Sequence, residues 1–310
     1  MRENDLLHWL THSVRPDAAV PVPIGDDMAA VAIPPHAAAG LALLKIDQVL
    51  DGVHFNLATC GPAAAGRKAV NRCLSDCAAM AAAPAAIMVS VALPADMPLA
   101  AAQALLTACR NAAAEFNCPL VGGDTAIWQQ PLVITVSALG FATQRPVQRR
   151  GAQLADAIVV SGKLGGSILG RHLTFTPRIK LASLLQTIAP VHSMMDLSDG
   201  LAADLPRLAA ASGLGAVVDE AKLPVHPDAI QLAKQDGRSP AHHALCDGED
   251  YELLFTLSPH GAAQLPTHLA DVPLTIIGEM TRPPELHVRS PDGILQPWPA
   301  DGFEHRGTAP

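Results

Sequence analysis

Residues 195–205 read MDLSDGLAADL, and this short segment gives the clearest indication of the surrounding architecture. Asp196 follows apolar residues that are typical of a strand, and Ser198 and Asp199 suit the N-cap of the helix that comes next. Carboxylates at such a strand-to-helix turn can converge with others that lie at the ends of neighbouring elements. The segment therefore predicts an α/β unit whose acidic residues gather at one place.

Similar short acidic segments recur along a chain in which only 16% of the residues are charged. They are Gly25-Asp26-Asp27, Lys45-Ile46-Asp47, Leu74-Ser75-Asp76 and Gly122-Gly123-Asp124-Thr125. We place Asp124 after a strand and Asp76 within an apolar helix, where an unpartnered carboxylate would be costly. Converging aspartates without a matching set of cysteines or histidines favour Mg²⁺, which in proteins commonly also holds substrate phosphates. The sequence therefore predicts magnesium-dependent phosphate chemistry.

The alternation of strand-like and helix-like segments is interrupted by a polar, basic stretch at residues 143–151 and then starts again. Strands are predicted at 132–141 before this stretch and at 157–161 after it. A chain of 310 residues is long enough for two hydrophobic cores. We therefore expect an α/β (α+β) protein with two domains, residues 1–144 and 145–310.

Composition excludes several classes of partner. The formal net charge of −8 argues against a nucleic-acid surface, because phosphate backbones select basic patches. The most apolar stretch, residues 78–93, contains Pro84 and is too short to span a bilayer. Six cysteines show neither C-x-x-C pairs nor a regular spacing, which is typical of a reduced compartment. We expect a cytoplasmic protein without a membrane or nucleic-acid partner.

Other catalytic motifs match poorly. Residues 61–68 have the glycine spacing of a P-loop, but Arg67 stands where lysine is required. The turn at 162–167 could offer backbone N–H groups to a phosphate, or it could be a plain tight turn. The H-R-D, D-F-G and G-x-S-x-G motifs are missing from the sequence. We therefore predict no covalent catalytic nucleophile.

Taken together, the motifs resemble those of thiamine-monophosphate kinase, a family of the aminoimidazole-ribonucleotide synthetase superfamily. The matching segments, in chain order, are GDD at 25–27, DGVHF at 51–55, NRCLSDCAAM at 71–80, GGDT at 122–125, HLTFTPRI at 172–179, MDLSDGLAADL at 195–205 and DGEDYELLF at 247–255. The resemblance covers essentially the whole chain. It implies transfer of the γ-phosphoryl group of ATP to thiamine monophosphate, with several Mg²⁺ ions. It also implies a homodimer formed through the sheet of the N-terminal domain, and a ferredoxin-like C-terminal domain.

The resemblance also implies residue roles, carried over position by position. The carboxylates that match metal ligands are Asp27, Asp47, Asp76, Asp124, Asp196 and Asp199. Positions that match ATP contacts are Gly123, Arg149 and Ser198. Positions that match contacts to thiamine monophosphate are His54, Glu249 and Trp298.

The chain departs from the family pattern directly before Asp47. The family carries hydroxyl residues there that ligate metal, whereas this chain has Lys45 and Ile46. Three alternatives therefore stay open: an ATP-dependent ligase or synthase of the same superfamily, a kinase that phosphorylates another acceptor, and a non-catalytic nucleotide-binding homologue.

Overall fold

The computed structural model describes residues 33, 42–282 and 285–299 of the chain. These residues form two compact units. The first comprises 42–77 and 82–145, and the second comprises 78–81 and the described residues from 146 onward. Each unit contains one sheet with helices, so the prediction of a mixed α/β fold is confirmed.

The first unit is built on a four-stranded sheet in the order β1-β4-β2-β3. Its elements are β1 (Leu43–Leu50), α1 (Leu57–Ala79), β2 (Ala83–Pro94), α2 (Leu99–Ala114), β3 (Leu120–Trp128) and β4 (Val133–Phe141). The β2–β3 pair is parallel, with α2 as the crossover between its strands, and the other two pairs are antiparallel. Because side chains alternate across a strand, β4 buries Ile134, Val136 and Ala138 on one face of the sheet.

Small residues let α1 lie close to this buried face. Cys73 on α1 donates its thiol hydrogen to the carbonyl of Val136, and the sulfur of Cys77 approaches Gly140 of β4. All six cysteines of the chain are free thiols. Burial raises the pKa of Cys77 to about 12, so this thiol stays protonated and fills the core.

The second unit is built on an eight-stranded sheet in the order β12-β11-β7-β10-β5-β8-β6, with β9 paired to β10. Its strands are β5 (Ala157–Ser161), β6 (Ser193–Asp196), β7 (Gly215–Asp219), β8 (Leu253–Leu257), β9 (His268–Leu269), β10 (Val272–Thr281), β11 (Leu286–Arg289) and β12 (Leu295–Pro297). Its helices are α3 (Arg171–Thr174), α4 (Ile179–Ile188), α5 (Leu201–Ser212), α6 (Pro227–Asp236), α7 (Pro240–Cys246) and α8 (Pro259–Ala263), with 3₁₀ turns at Ser167–Leu169 and Glu220–Lys222. Only the β7–β11 pair is parallel among these described strands.

Both faces of the central strands in this second sheet are buried. Ile158 and Val160 of β5 pack with α5 on one face, while Val159 packs with α4 on the other. Such two-sided burial explains the uninterrupted apolar sequences of β5 and β8. In the described part of the chain, no helix is long and apolar enough to cross a membrane.

Gly123 permits the close approach of β2 and β3. A Cβ atom at Gly123 would lie 1.9 Å from the carbonyl oxygen of Val89, its register partner on β2. At neighbouring Gly122, the nearest atom to an added Cβ is in the Met88 side chain, 3.7 Å away. The backbone contact therefore demands glycine at 123 but not at 122.

We expect Gly123→Ala to lower the free energy of unfolding by about 1–3 kcal/mol, because the two strands must separate to admit the methyl group. Gly122→Ala is the matched control and should change it by less than about 0.5 kcal/mol. Urea unfolding followed by circular dichroism measures both variants. Equal losses in the two would contradict the steric argument.

Candidate active site

Two of the predicted metal-binding carboxylates lie where β1 faces α1. Lys45 and Asp47 share one face of β1, and Arg72 and Asp76 are one turn apart on α1. The Lys45 ammonium lies 3.0 Å from an Asp76 oxygen, and the Arg72 Nε lies 3.2 Å from an Asp47 oxygen. Each carboxylate is thus paired with a cation of the neighbouring element. A metal ion that used either carboxylate would have to exchange with that cation.

The buried thiol of Cys73 lies near both carboxylates. Burial is the main cause that raises its pKa, and the charges of Asp47 and Asp76 raise it further. Ile46, between Lys45 and Asp47, points to the opposite face of the sheet and is 65% exposed. The side chain that cannot ligate metal is therefore directed away from the two carboxylates.

Asp124 lies on a different surface of the first unit. It is an exposed residue in the middle of β3, so the prediction that it follows a strand is wrong. The register aligns Asp124 through β2 and β4 with Gln48, whereas Asp47 aligns with Gly123. Asp124 and Asp47 thus point to opposite faces, from edge strands separated by three strand spacings, about 14 Å. Within one such unit they cannot bind the same ion.

The remaining predicted residues of the N-terminal half divide into described and undescribed ones. Asp27 lies outside the described residues. His54 is buried after β1, where its Nδ1 accepts a hydrogen bond of 3.1 Å from the Leu50 N–H and its carbonyl accepts one from the buried Lys68 ammonium. Arg149, which belongs to the second unit, is exposed in the segment before β5.

The segment between β6 and α5 is organised by a carboxylate that the sequence interpretation missed. Helix α5 begins at Leu201 with Gly200 as its N-cap, so the prediction that Ser198 and Asp199 cap it is wrong. Instead, the fully buried Asp204 accepts hydrogen bonds of 3.0 and 2.9 Å from the backbone N–H groups of Ser198 and Asp199.

Arg207 completes this arrangement. Its guanidinium lies 2.7 Å from Asp204 and 2.5 Å from Asp199. Burial raises the pKa of Asp204 to about 6 in spite of these donors. Asp204 stands four residues after Gly200, a first-turn acidic position that local capping patterns could have indicated.

The structure brings two of the predicted site residues together in the second unit. The N–H of Glu249 donates to the carbonyl of Ser198 at 2.7 Å, and the N–H of Tyr251 donates to Leu197 at 2.8 Å. Asp196, at the end of β6, is buried beside this contact in the chain. The predicted nucleotide residue Ser198 and the predicted substrate residue Glu249 therefore occupy one local site.

The side chain of Glu249 is held by aromatic and imidazole groups. Its carboxylate lies 3.1 Å from Nδ1 of the buried His172 and accepts a 3.3 Å hydrogen bond from the Tyr251 hydroxyl. The Tyr251 ring stacks on Phe175, with ring centroids 4.0 Å apart. Glu249 thus presents a fixed acidic group beside a small aromatic cluster, a setting suited to a cationic organic ligand.

The glycine turn after β5 binds carboxylates of the chain itself. Gly165 donates its N–H to Asp250 at 2.9 Å, and Gly166 donates to Asp247 at 2.7 Å. Asp250 is completely enclosed and pairs with Arg171 at 2.9 Å, and burial raises its pKa to about 7. These N–H groups are occupied, which favours the plain-turn interpretation over a phosphate-binding one.

Trp298, the last predicted substrate residue, packs at the edge of the core that contains α5. Its indole N–H donates to the carbonyl of Ala202 at 2.8 Å. Among the residues that the structure describes, no group of three or more His, Cys, Asp or Glu side chains could hold a metal ion. The metal sites implied by the resemblance are therefore not assembled from the described side chains alone.

Comparison with known proteins agrees with this architecture. The chain matches the AIR synthase related protein family, in its N-terminal domain over residues 25–142 and in its C-terminal domain over residues 122–290. The thiamine-monophosphate kinase of Rhodopirellula baltica is 38% identical over 282 residues, which cover 90% of this chain and 89% of that protein.

Two solved structures are similar along nearly the whole chain. The thiamine-monophosphate kinase from Stenotrophomonas maltophilia K279a shares 30% identity with a TM-score of 0.78, covering 93% of this chain and 95% of that one. The structure described as AaThiL complexed with AMPPCP and TMP shares 29% identity with a TM-score of 0.76, covering 99% of each chain.

The two matched domains and the two compact units define the class of the protein, a two-domain α/β protein of the AIR synthase related type. Relatives at 30–38% identity over about nine-tenths of their length narrow this class to one family. The chain belongs to the thiamine-monophosphate kinase family.

Asp204 should give the protein a pH-dependent stability. Its pKa is about 6 in the folded protein against an ordinary 3.8, so the folded state holds this proton more tightly. Its contribution to the free energy of unfolding therefore falls as the pH rises from about 4 to about 6. Asp204→Asn lacks this titration, and its stability relative to wild type should improve by up to about 2 kcal/mol between about pH 4.5 and pH 7.5.

Asp292→Asn is the control, because the pKa shift of Asp292 has the opposite sign. The Ser290 hydroxyl donates to Asp292 and lowers the pKa of that carboxyl, so wild type gains from it as the pH rises. This gain is almost complete above the ordinary pKa of 3.8, so between about pH 4.5 and pH 7.5 the stability of Asp292→Asn relative to wild type should stay nearly constant. Urea unfolding at the two pH values measures these differences, and parallel profiles for Asp204→Asn and wild type would refute the assignment.

Proposed function

We propose that this protein transfers the γ-phosphoryl group of ATP to thiamine monophosphate, yielding thiamine diphosphate and ADP. The observation that carries the proposal is the similarity, over 99% of both chains, to the AaThiL structure complexed with AMPPCP and TMP. AMPPCP is an ATP analogue, so that structure holds a donor analogue and an acceptor together. The local site formed by Ser198 and Glu249 gives this chain groups suited to the same two ligands.

The reaction requires that the two phosphate groups are positioned, and it does not require a strong base. A phosphate monoester has a second pKa of about 6 and is mostly dianionic at neutral pH, so the attacking oxygen is already ionised. The two reacting anions repel one another, and the site must hold them in line and offset their charge. A protein without a covalent nucleophile can meet both requirements.

Magnesium ions would supply the charge neutralisation between the two phosphates when bound. The donor set fits a hard cation, because the proposed ligands are all carboxylates. They are Asp27, Asp47, Asp76, Asp124, Asp196 and Asp199. The contacts of Asp47 with Arg72 and of Asp76 with Lys45 support this role, because both carboxylates already bind a positive charge.

We assign Glu249 and Trp298 to the cationic thiamine rings, and we assign His54 to a contact with thiamine monophosphate. Gly123, Arg149 and Ser198 are assigned to ATP. Glu249 is a suitable partner for a positive ring because His172 and Tyr251 hold its carboxylate in place. We further propose that the protein works in the cytoplasm, where its six free thiols stay reduced.

A second candidate follows from the 3.0 Å contact between Lys45 and Asp76. An ammonium that permanently occupied a metal position would yield a nucleotide-binding homologue without turnover. Calorimetry at saturating Mg²⁺ that shows ATP binding, in a protein without thiamine-dependent ADP release, would favour this candidate.

The purified protein should release ADP from ATP and Mg²⁺ only when thiamine monophosphate is present. Asp124→Asn should lower this turnover by at least about tenfold, because the substitution removes a metal-binding charge. Asp96→Asn changes an exposed aspartate of the same unit and should leave turnover unchanged. ADP release that requires a purine precursor instead would indicate the ligase or synthase alternative, and full activity of Asp124→Asn would remove this residue from the metal site.

We also propose that two copies associate through the open face of the first sheet. That face carries Leu44, Ile46 and Met88, which are 81%, 65% and 50% exposed. The register places Ile46 and Met88 in one row across the sheet, separated only by Ser137 of β4. An uncharged apolar row of this kind can match itself across a twofold axis, and a second copy therefore fits it best.

Ile46→Asp should convert the dimer to a monomer, because it places a charge at the centre of this face in each copy. Light scattering after size-exclusion chromatography at micromolar concentration should give half the wild-type mass, with an unchanged circular dichroism spectrum. Ile230→Asp, at a comparably exposed isoleucine of α6, should stay dimeric. A monomeric wild type, or a dimeric Ile46→Asp variant, would exclude this interface.

A further inference from the structure

Helix α5 contains a proline in its interior, at position 206. Proline has no backbone N–H, and in an α-helix the missing donor is the one that would serve the carbonyl four residues earlier. That carbonyl belongs to Ala202, a buried residue of the second unit's core. A buried carbonyl without a donor is costly, so the sequence of α5 creates a need for an external donor.

Trp298 meets this need from a distant part of the chain. Its indole Nε1 donates to the Ala202 carbonyl at 2.8 Å, across 96 positions of sequence. The indole has a single donor and no acceptor, so this one bond fixes the edge of the ring. The partly buried ring also packs against the core cluster around α5.

The location of this contact gives it a role beyond packing. Ala202 is in the first turn of α5, directly after the segment in which Asp204 holds Ser198 and Asp199 and Ser198 receives Glu249. The indole is therefore tied to the same helix start that carries the proposed nucleotide and substrate contacts.

We propose that Pro206 is a positioning residue for Trp298: by leaving the Ala202 carbonyl without a helical donor, it creates the acceptor that orients the indole for the thiamine substrate. The claim that Pro206 orients Trp298 is argued from the contacts alone. Only the claim that this orientation affects the thiamine substrate rests on the proposed function. Two measurements that need no turnover therefore test the first claim separately.

The first measurement is tryptophan fluorescence of Pro206→Ala. The chain has three tryptophans, Trp9, Trp128 and Trp298, so Trp9→Phe and Trp128→Phe provide a background in which Trp298 is the only one. Pro206→Ala restores the helical N–H and removes the need for the indole. Emission should shift to longer wavelength and acrylamide quenching should increase, while the Tm stays equal or rises because alanine is the better helix former.

Pro62→Ala is the control, because Pro62 belongs to the first unit, where it directly follows the break in α1 at Gly61. It should leave Trp298 emission unchanged. Unaltered Trp298 emission and quenching in Pro206→Ala would overturn the proposal.

The second measurement is a double-mutant cycle on thermal stability. Trp298→Phe keeps the ring but deletes the donor, so it should lower the Tm when Pro206 is present. In the Pro206→Ala background the Ala202 carbonyl has its helical partner, and the same substitution should have a much smaller effect. Additive Tm changes would show that the two residues act independently and would refute the proposal.

Steady-state kinetics test the functional part. Pro206→Ala should raise the KM for thiamine monophosphate by about three- to tenfold, as expected for loss of one orienting hydrogen bond, with kcat changed less than about twofold. An unchanged KM alongside altered fluorescence would limit Pro206 to a structural role and overturn the substrate claim. If wild type shows no thiamine-dependent turnover, the proposed function fails, while the fluorescence and the cycle still decide the orienting role.

Discussion

The carboxylate of Asp204 is the group on which the second unit's candidate site depends. It is fully buried, and it accepts hydrogen bonds from the N–H groups of Ser198 and Asp199 and from the guanidinium of Arg207. These bonds hold the segment after β6 in a shape that neither strand nor helix would provide. Carbonyls of that segment then accept the N–H groups of Glu249 and Tyr251. Asp204, which the sequence interpretation missed, therefore determines the relative positions of Ser198, Asp199 and Glu249.

Much of the fold could be predicted from apolar patterns, and the exceptions have physical causes. The strand predicted at 157–161 is the observed β5, because a short apolar segment buried on both faces has few alternatives. The sequence interpretation places Asp124 after a strand. The structure instead runs β3 through Gly123, since the tight approach to Val89 tolerates no side chain there. The acidic first-turn position of Asp204 is visible in the sequence, but its hydrogen bonds to the Ser198 and Asp199 N–H groups depend on the backbone shape before α5.

The two residues before Asp47, Lys45 and Ile46, point to opposite faces of the first sheet. In the sequence, Lys45 and Ile46 replace two residues whose hydroxyl groups ligate metal in the family, and neither side chain offers a hydroxyl ligand. Side chains alternate along β1, so Lys45 faces Asp76 on α1 while Ile46 faces outward with Leu44. The two departures therefore have separate consequences: Lys45 changes the charge beside the carboxylates, and Ile46 extends an apolar face.

Backbone strain in the 249–251 segment is consistent with a binding role for that segment. Glu249 and Tyr251 have φ values of 63° and 52°, in the left-handed region that favours glycine, at a cost of about 1–3 kcal/mol each. The bonds to Leu197 and Ser198 and the stacking of Tyr251 on Phe175 offset this cost. In this conformation the Tyr251 hydroxyl lies 3.3 Å from the Glu249 carboxylate and donates a hydrogen bond to it. The strained segment thus holds the Glu249 carboxylate beside the buried, stacked pair of Tyr251 and Phe175.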